Sequence, residues 1–271
     1  MKLTVVTINY NNCDGLEKTL RSVTSQLTPE VEYIVIDGGS TDGSVELIKK
    51  YEKSIAFWVS EPDKGIYNAM NKGIAHASGE YINFMNSGDC FHSSDVLSRV
   101  LPLLNGKDFY VGGQMHVYKD KSNTLRVAPQ SIKFVNLAHQ ALPHQATFIR
   151  TALLKKRPYD ESYRIAADWE QMFYELIIDN ASYEAIPFVV ADFDMMGISS
   201  NPRNNDLQRE ECDRVRKTLL PNRIKDFVDN SNPLQRKILY AFGYESPMKR
   251  DMKILRNAVK LLLNDIFKRN K

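Results

Sequence analysis

The sequence predicts an α/β fold in which helices flank a mostly parallel sheet, and two patterns in the first hundred residues carry the prediction. Apolar, β-branched runs such as Leu3–Ile8 and Val31–Ile36 have the composition of buried strands. Between them, apolar residues recur with helical spacing at Leu16, Leu20 and Val23. Strand and helix patterns that alternate in this way are typical of right-handed βαβ units, which build parallel sheets.

The same alternation places the elements in order as far as residue 104. Asn12 to Asp14 offer caps for the first helix, and Asp42 can cap the second. The later elements are expected as a strand over 31–36, a helix through 45–48, a strand over 55–59, a helix over 66–75, a strand over 80–84 and a helix from 93 or 94 to 104.

Beyond residue 105 the alternation ends, and a different substructure is expected. Phe109–Tyr118 and Thr124–Val127 have the pattern of antiparallel strands, Ala166–Asn180 that of a helix, and Tyr183–Phe193 that of a further strand. We therefore expect one domain over 1–220, in which a half over 105–220 completes a cleft with the half over 1–104, and then a helical tail over 221–271.

Composition excludes several classes of protein. The chain of 271 residues is 43% hydrophobic and 25% charged, which is ordinary for a globular protein and unlike a collagen-like or disordered one. Cys13, Cys90 and Cys212 lie far apart without CxxC spacing, which disfavours a zinc site and a disulfide framework. A net charge of +3 gives no reason to expect a nucleic-acid partner.

The sequence carries no evident targeting pattern. The apolar segment after Met1 and Lys2 is too short and too polar for an export signal. No run of 18 apolar residues occurs, so we expect no membrane span and a cytoplasmic location.

The tail expected over 221–271 is basic and amphipathic. Residues 235–271 contain ten Lys or Arg against three Asp or Glu. Its apolar side chains form one stripe at helical spacing, made of Met248, Met252, Leu255, Val259, Leu262 and Ile266. Two interpretations stay open: the stripe packs on the protein body or a second subunit, or it lies on an anionic membrane, which would place the protein peripherally on the inner face.

Ligands of parallel sheets bind beyond the carboxyl ends of the strands, so four loops are the candidate site. These loops are Asn9–Asn12, Asp37–Asp42, Ser60–Gly65 and Met85–His92, and all are rich in Asp, Asn, Ser or Gly. The alternative is that loops between strands and helices are polar in most proteins.

Asp37 ends the second predicted strand and precedes two glycines. A carboxylate in this position can hydrogen-bond a ribose or a base edge, while the glycines let the ligand approach the backbone. The alternative is a turn-forming aspartate. No GxGxxG pattern follows the first strand, which disfavours a dinucleotide-binding site.

The segment 61–74 is the most distinctive part of the sequence. Asp63 can reach a base or ribose, and Lys64 lies just before a predicted helix N-terminus, where a phosphate is favoured. Asn71 faces the loop side only if that helix begins at Gly65. The alternative is a helix cap by Asp63 and a solvated lysine.

The loop after the fourth strand contains Asn86-Ser87-Gly88-Asp89. A carboxylate such as Asp89 can hold a hard divalent cation that takes its other ligands from phosphates and water. One Asp and one Asn are few for a site made of protein alone, but they suffice if a diphosphate completes it. The alternative is a polar turn.

These stretches, in this order, resemble the family 2 glycosyltransferases. Leu3–Asn12 is similar to that family's first strand and Thr-Tyr-Asn turn, Asp63–Gly73 to its D-x-G segment with A-x-N-x-G, and Asn86–Asp89 stands in the place of its DxD motif. The resemblance implies the GT-A fold, with a Rossmann-like sheet and an antiparallel acceptor-side part. It also implies nucleotide contacts from Thr7, Asn9, Tyr10, Asp37, Asp63, Lys64, Asn71 and Asn86, and a Mn²⁺ or Mg²⁺ ion on Asp89.

Inverting sugar transfer needs a base opposite the leaving diphosphate, and the family supplies it from an acidic pair at a later helix start. Asp168 matches that place, with Ala167 replacing the first acid and Glu170 as the fallback. By the same resemblance, Trp169 can stack on a sugar, and His144 can touch acceptor or diphosphate. The alternatives are a helix cap, a core tryptophan and a structural histidine.

The resemblance implies an inverting glycosyltransferase that takes its sugar from a nucleotide diphosphate sugar, with UDP expected. A glycan or lipid-linked acceptor in cell-surface polysaccharide synthesis is expected with it. A sugar-nucleotide nucleotidyltransferase is the first alternative, but the loop over 9–15 lacks the basic residues it needs. A non-catalytic nucleotide- or sugar-binding module is the second, and it would be favoured if Asp168 pointed away from the cleft.

Overall fold

The computed structural model describes residues 1–118, 120, 122–137, 141–195 and 202–220. Within them the chain forms the expected α/β fold. The strands are β1 (Leu3–Asn9), β2 (Val31–Asp37), β3 (Phe57–Ser60), β4 (Tyr81–Phe84), β5 (Cys90–Phe91), β6 (Phe109–Val117), β7 (Thr124–Arg126), β8 (Thr147–Arg150) and β9 (Tyr183–Asp194). The tail expected over 221–271, with its apolar stripe, lies outside the described residues.

The helices pack on both faces of this sheet. They are α1 (Cys13–Thr24), α2 (Ser44–Tyr51), α3 (Ile66–His76), α4 (Val96–Val100), α5 (Phe134–Leu137), α6 (Thr151–Lys156), α7 (Ala167–Phe173) and α8 (Asn205–Leu219). A π-helical turn, Tyr174–Ile178, continues α7. In the described part of the chain, no helix has the length and apolar character needed to cross a bilayer.

The sheet runs in the order β3-β2-β1-β4-β8-β6-β9-β5, with β7 on the side of β6. The first four strands pair in parallel, as the alternating pattern predicted. Strand β8 pairs antiparallel with both β4 and β6, and so joins the two halves of the chain. The predicted antiparallel pairing of β6 and β7 is present, whereas β6 and β9 run parallel.

Alternation along the buried strands divides the apolar side chains between two cores. Val6 and Ile8 of β1 join the core under α3 and α7, and Leu3 and Val5 join the core under α1, α2 and α4. Successive residues of a strand point to opposite faces, so a strand covered on both faces is apolar throughout. The Asn12 side chain accepts from the N–H of Gly15 at the start of α1, as its predicted cap role requires.

Helix α3 lies against β1 because residue 73 has no side chain. A Cβ at Gly73 would lie 2.5 Å from Cγ1 of Val6. Since α3 carries the Asp63–Gly73 segment, this close contact sets how near that helix approaches the sheet beside the loops.

We expect Gly73→Ala to lower the free energy of unfolding by roughly 1 kcal/mol, because overpacking of about 1–3 kcal/mol exceeds the helix gain of about 1 kcal/mol. Combining it with Val6→Ala removes the clash, so the double variant should lose about 1–2 kcal/mol less than the sum of the single variants. Denaturant unfolding measures the cycle. Val5→Ala, on the opposite face of β1, replaces Val6→Ala in the control cycle. An equally large coupling energy between Gly73→Ala and Val5→Ala would contradict a specific contact between Gly73 and Val6.

Candidate active site

A cavity of about 860 Å³ opens at the carboxyl ends of β1, β2 and β4, where the sequence placed the site. Its walls come from the loops after these strands, from the start of α3, and from the segment that leads into α7. Among the residues expected to function, it is lined by Asn9, Tyr10, Asp63, Lys64, Asn86, Asp89, His144 and Asp168. Thr7, Asp37, Asn71 and Trp169 are absent from this lining.

Asp37 is buried behind the cavity wall, and the protein itself uses its carboxylate. Ser40 donates through its N–H and its hydroxyl, at 2.9 and 2.6 Å, and the Ser60 hydroxyl and Asn9 Nδ2 also donate, at 2.6 and 2.8 Å. Burial would raise the pKa of Asp37, but these hydrogen bonds outweigh it and hold the pKa below its ordinary value. In this arrangement Asp37 orders the loop instead of presenting a carboxylate to a ligand.

Thr7 is likewise buried, and its hydroxyl ties β1 to the loop after β4. Its Oγ1 donates to the carbonyl oxygen of Met85 at 2.7 Å and lies 2.9 Å from the Tyr33 hydroxyl. This contact holds the start of the Asn86–Asp89 turn against the end of β1.

Tyr10 and Asp63 form one wall of the cavity. The Tyr10 ring is 68% exposed, and the Asp63 carboxylate accepts from Lys72 Nζ. Gly38 lies between them, and a Cβ there would be 3.1 Å from both Tyr10 Cδ2 and Asp63 Oδ2. Lys64 lies exposed at the start of α3, and among the described residues it makes no ion pair.

The structure does not bring Asn71 into the cavity, contrary to expectation. Its Nδ2 donates to the carbonyl oxygen of Tyr159 at 2.9 Å and to Glu161 Oε1 at 3.0 Å, and its Oδ1 accepts from the N–H of Tyr159 at 3.0 Å. Helix α3 does begin next to Gly65, but its phase directs residue 71 toward the second half of the chain. Asn71 therefore fastens the two halves together.

Asp89 lies on the cavity floor with both carboxylate oxygens engaged by the second half of the chain. Oδ2 accepts from Gln145 Nε2 and Oδ1 accepts from the N–H of Asp194, both at 2.9 Å. Gln114 Nε2 donates to Gln145 Oε1 at 2.7 Å. This hydrogen bond orients the Gln145 amide so that its Nε2 faces Asp89. Burial raises the pKa of Asp89 to about 6, although both hydrogen bonds oppose the change.

A chain of polar contacts connects Asp168 with the loop after β4. Asp168 Oδ1 accepts from the Tyr67 hydroxyl at 2.9 Å, and Oδ2 lies 3.3 Å from His144 Nδ1. His144 Nε2 lies 3.3 Å from Asn86 Nδ2 on its other side. Neutral histidine satisfies both contacts when Nδ1 carries the proton and Nε2 accepts.

Trp169 belongs to the core, so its expected stacking on a sugar is wrong. The indole is 3% exposed, its Nε1 donates to the carbonyl oxygen of Leu137 at 2.7 Å, and its ring packs edge-on against Phe173. The fallback base Glu170 is also buried away from the cavity, in an ion pair with Arg157.

Sequence reasoning missed four residues of the cavity wall, which are Tyr67, Gln145, Arg164 and Asp194. Tyr67 lies inside the segment 61–74 and Gln145 follows His144, but nothing in the linear sequence gave either of them a role. Asp194 ends a strand, and the rule that selected the loops after β1, β2 and β4 applies to that position as well.

The residues on the cavity floor fit a hard divalent cation. Asp89 offers a buried carboxylate, and this burial is what raises its pKa. The Oδ1 atom of Asn86 is buried and has no hydrogen-bond partner in the described residues. Oxygen donors of this kind suit Mg²⁺ or Mn²⁺. The described residues contain no cluster of three His, Cys, Asp or Glu side chains that could hold a metal ion.

The raised pKa of Asp89 makes stability depend on pH. The unfolded chain loses this proton near pH 4, whereas the folded protein keeps it to about pH 6. Asp89 should therefore lower the free energy of unfolding by up to about 1.4 kcal/mol per pH unit as pH rises between these values. We expect Asp89→Asn, measured without metal, to gain stability relative to wild type from pH 4 to 6 and no further above pH 7. If the free energies of unfolding of Asp89→Asn and wild type differed by the same amount at every pH, the raised pKa of Asp89 would be contradicted.

Comparison with known proteins connects this geometry to one family. The profile described as "Glycosyl transferase family 2" matches residues 4–201. An uncharacterized glycosyltransferase of Mycobacterium tuberculosis is 36% identical over 204 residues, which are 73% of this chain and 77% of the relative. A PGL/p-HBAD biosynthesis glycosyltransferase of the same species is 28% identical over 57% of this chain and 62% of its own length.

Solved structures share the fold at low sequence identity. Residues 1–349 of TarS from S. aureus, in complex with UDP-GlcNAc, are 21% identical with a TM-score of 0.62, over 84% of this chain and 70% of that one. The chain covers 42% of the longer TarS structure. The mannosyltransferase PcManGT from Pyrobaculum calidifontis, in complex with GDP-Man and Mn²⁺, gives a TM-score of 0.57 at 17% identity, over 96% and 80% of the two chains. The chain therefore belongs to glycosyl transferase family 2, and it is a glycosyltransferase with the GT-A fold.

Proposed function

We propose that this glycosyltransferase transfers a sugar from a nucleotide diphosphate sugar with inversion of configuration, and that Asp168 is the general base. The observation that carries the proposal is that Asp168 lines the same cavity as Asp89 and is held there by Tyr67 and His144. A non-catalytic binding module would have no need to fix a carboxylate in this way.

On the donor side, Tyr10, Asp63 and Lys64 surround the part of the cavity next to β1 and α3. Tyr10 offers an exposed aromatic face, Asp63 an acceptor for base or ribose hydroxyl, and Lys64 a positive charge for phosphate. Asp89 would hold the divalent cation, with Asn86 Oδ1 beside it as a second oxygen donor. That cation supplies charge stabilisation to the departing nucleoside diphosphate.

On the acceptor side, Asp168 removes the proton of the attacking hydroxyl. The acceptor oxygen forms a bond to the anomeric carbon while the bond to the diphosphate oxygen breaks, and the proton ends on the Asp168 carboxylate. One displacement of this kind inverts the anomeric centre. The Tyr67 hydroxyl donates to the Asp168 carboxylate, and His144 Nδ1 lies 3.3 Å from its other oxygen. These two contacts keep Asp168 oriented before the reaction.

For the donor we propose a UDP-sugar, since TarS and a glucosyl-3-phosphoglycerate synthase of M. tuberculosis were crystallised with UDP compounds. The alternative donor is a GDP-sugar, because PcManGT was crystallised with GDP-Man. For the acceptor we propose a glycan or lipid-linked glycan of the cell surface. That choice rests on the resemblance to the family.

The metal assignment is tested by thermal shift with UDP, with and without Mn²⁺. Ligand at 100 times its dissociation constant adds about 2.7 kcal/mol of stability. We expect Asp89→Asn to lose the part of the UDP shift that Mn²⁺ contributes. Asp63→Asn is the comparison variant and should weaken UDP binding to the same degree with or without Mn²⁺. The assignment is wrong if Mn²⁺ increases the UDP shift equally in wild type and Asp89→Asn.

The base is tested with Asp168→Asn, which is nearly isosteric but cannot take a proton. Transfer should fall about 10²–10⁴-fold, the usual contribution of general base catalysis, while UDP binding stays unchanged. Tyr67→Phe removes one hydrogen bond and leaves the carboxylate, so its loss should be smaller. NMR of the product should show an inverted anomeric centre. Full activity of Asp168→Asn, or a retained configuration, would overturn the mechanism.

A further inference from the structure

Three consecutive backbone N–H groups lie just before α7, and one carboxylate accepts from all of them. Glu211 Oε1 accepts from the N–H of Arg164 at 2.6 Å, and Oε2 accepts from those of Ile165 and Ala166 at 2.9 and 3.0 Å. Glu211 is 6% exposed and comes from α8, 45 to 47 residues further along the chain.

No side chain caps the start of α7. Ala166 occupies the N-cap of α7, and its side chain cannot accept a hydrogen bond. The N–H groups at a helix start need acceptors from elsewhere. Glu211 supplies them from another helix, and its charge makes these hydrogen bonds stronger than neutral ones.

The segment that Glu211 holds carries the acceptor wall of the cavity. Arg164 and Ile165, whose N–H groups it binds, both line the cavity. Asp168, in the first turn of α7, follows Ala166 by two residues and lines it too. A shift of the backbone over 164–166 therefore moves the proposed base. Glu211 itself is absent from the cavity lining, so it acts only through this backbone.

Other contacts of α8 lie on both sides of this hydrogen-bonded segment. The Arg214 guanidinium lies 3.5 Å from the centre of the Tyr163 ring and donates to Ser162 Oγ at 2.9 Å. Val215 is buried in the core cluster that also contains Trp169. Helix α8 begins at Asn205, beyond residue 201 where the family match ends.

We propose that Glu211 is a positioning residue for sugar transfer: it fixes the backbone over 164–166 and thereby the place of Asp168 in the cavity. The proposal rests on the proposed role of Asp168. It assigns to α8 a part in catalysis, although this helix lies outside the region matched to the family and contributes no residue to the cavity wall.

Hydrogen–deuterium exchange of the full-length protein tests the contact without any substrate. Glu211→Ala removes the acceptor, and Glu211→Gln keeps the shape but turns an N–H donor toward backbone N–H groups. We expect faster exchange in peptides covering 163–167 for both variants. Glu210→Gln makes the same change on an exposed neighbour, and Val215→Ala loosens the packing of α8 without touching the carboxylate. Equal exchange in all four variants would overturn the proposal.

Donor hydrolysis, with water as the acceptor, tests the consequence for Asp168. The substrate is the member of a panel of UDP- and GDP-sugars that wild type hydrolyses fastest, and nucleoside diphosphate release is measured. A displacement near 1 Å can cost about 10²-fold in rate, so we expect kcat of Glu211→Gln to fall between 10- and 100-fold, with donor KM changed less than about 2-fold. Glu210→Gln should match wild type, and Val215→Ala should lose stability with kcat within about 3-fold.

Asp168→Asn in the same assay separates the two proposals. If it hydrolyses the donor at the wild-type rate, the base assignment fails, whatever Glu211 does. If Asp168→Asn is slow while Glu211→Gln keeps the kcat of Glu210→Gln, the base stands and the positioning role of Glu211 is wrong. If Glu211→Gln and Val215→Ala lose kcat equally, α8 acts as a structural support only, which also overturns it.

Discussion

The two hydrogen bonds that Asp89 accepts are the constraint on which the site depends. Its carboxylate follows the fourth parallel strand, yet both partners, Gln145 and the N–H of Asp194, come from the second half of the chain. The nucleotide loops of the first half are therefore complete only when the second half is folded against them. The Asn71 contacts with Tyr159 and Glu161 join the same two halves nearby. Hydrogen bonds of Asp89 and Asn71 thus hold together the two halves of the chain that enclose the cavity.

Local patterns were enough to predict the first half of the fold and the edge of the sheet where the cavity lies. Strands β1, β2 and β4 are buried on both faces, so their apolar runs mark them in the sequence. Strand β8 was missed because it is only four residues long and leads directly into α6. The parallel pairing of β6 with β9 was missed because it depends on which distant strand occupies the neighbouring position.

Helix phase explains why two of the expected residues, Asn71 and Trp169, lie outside the cavity. Adjacent residues of a helix point about 100° apart, so Asp168 and Trp169 cannot both face the cavity; the carboxylate does, and the indole enters the core. The direction in which the Asn71 side chain points likewise depends on the rotation of α3 about its axis. That rotation is set by packing against Val6 through Gly73, which no local pattern records. Glu211 was beyond sequence reasoning because its partners are backbone groups 45 or more residues away.

The charges around the cavity constrain what it can bind. Asp63, Asp89, Asp168 and Asp194 line it, against the cations Lys64 and Arg164. A nucleoside diphosphate entering this site brings further negative charge, so a cation next to Asp89 would relieve repulsion on both sides. The two ends of the Asn86 amide have different surroundings. Its Nδ2 faces His144, and its Oδ1 is buried without a hydrogen-bond partner in the described structure, where it can accept a cation. If Oδ1 faces a cation, Nδ2 faces His144 Nε2, and Nδ1 on the other side of that imidazole lies 3.3 Å from Asp168 Oδ2. One amide and one imidazole therefore lie between the proposed cation site and the proposed base.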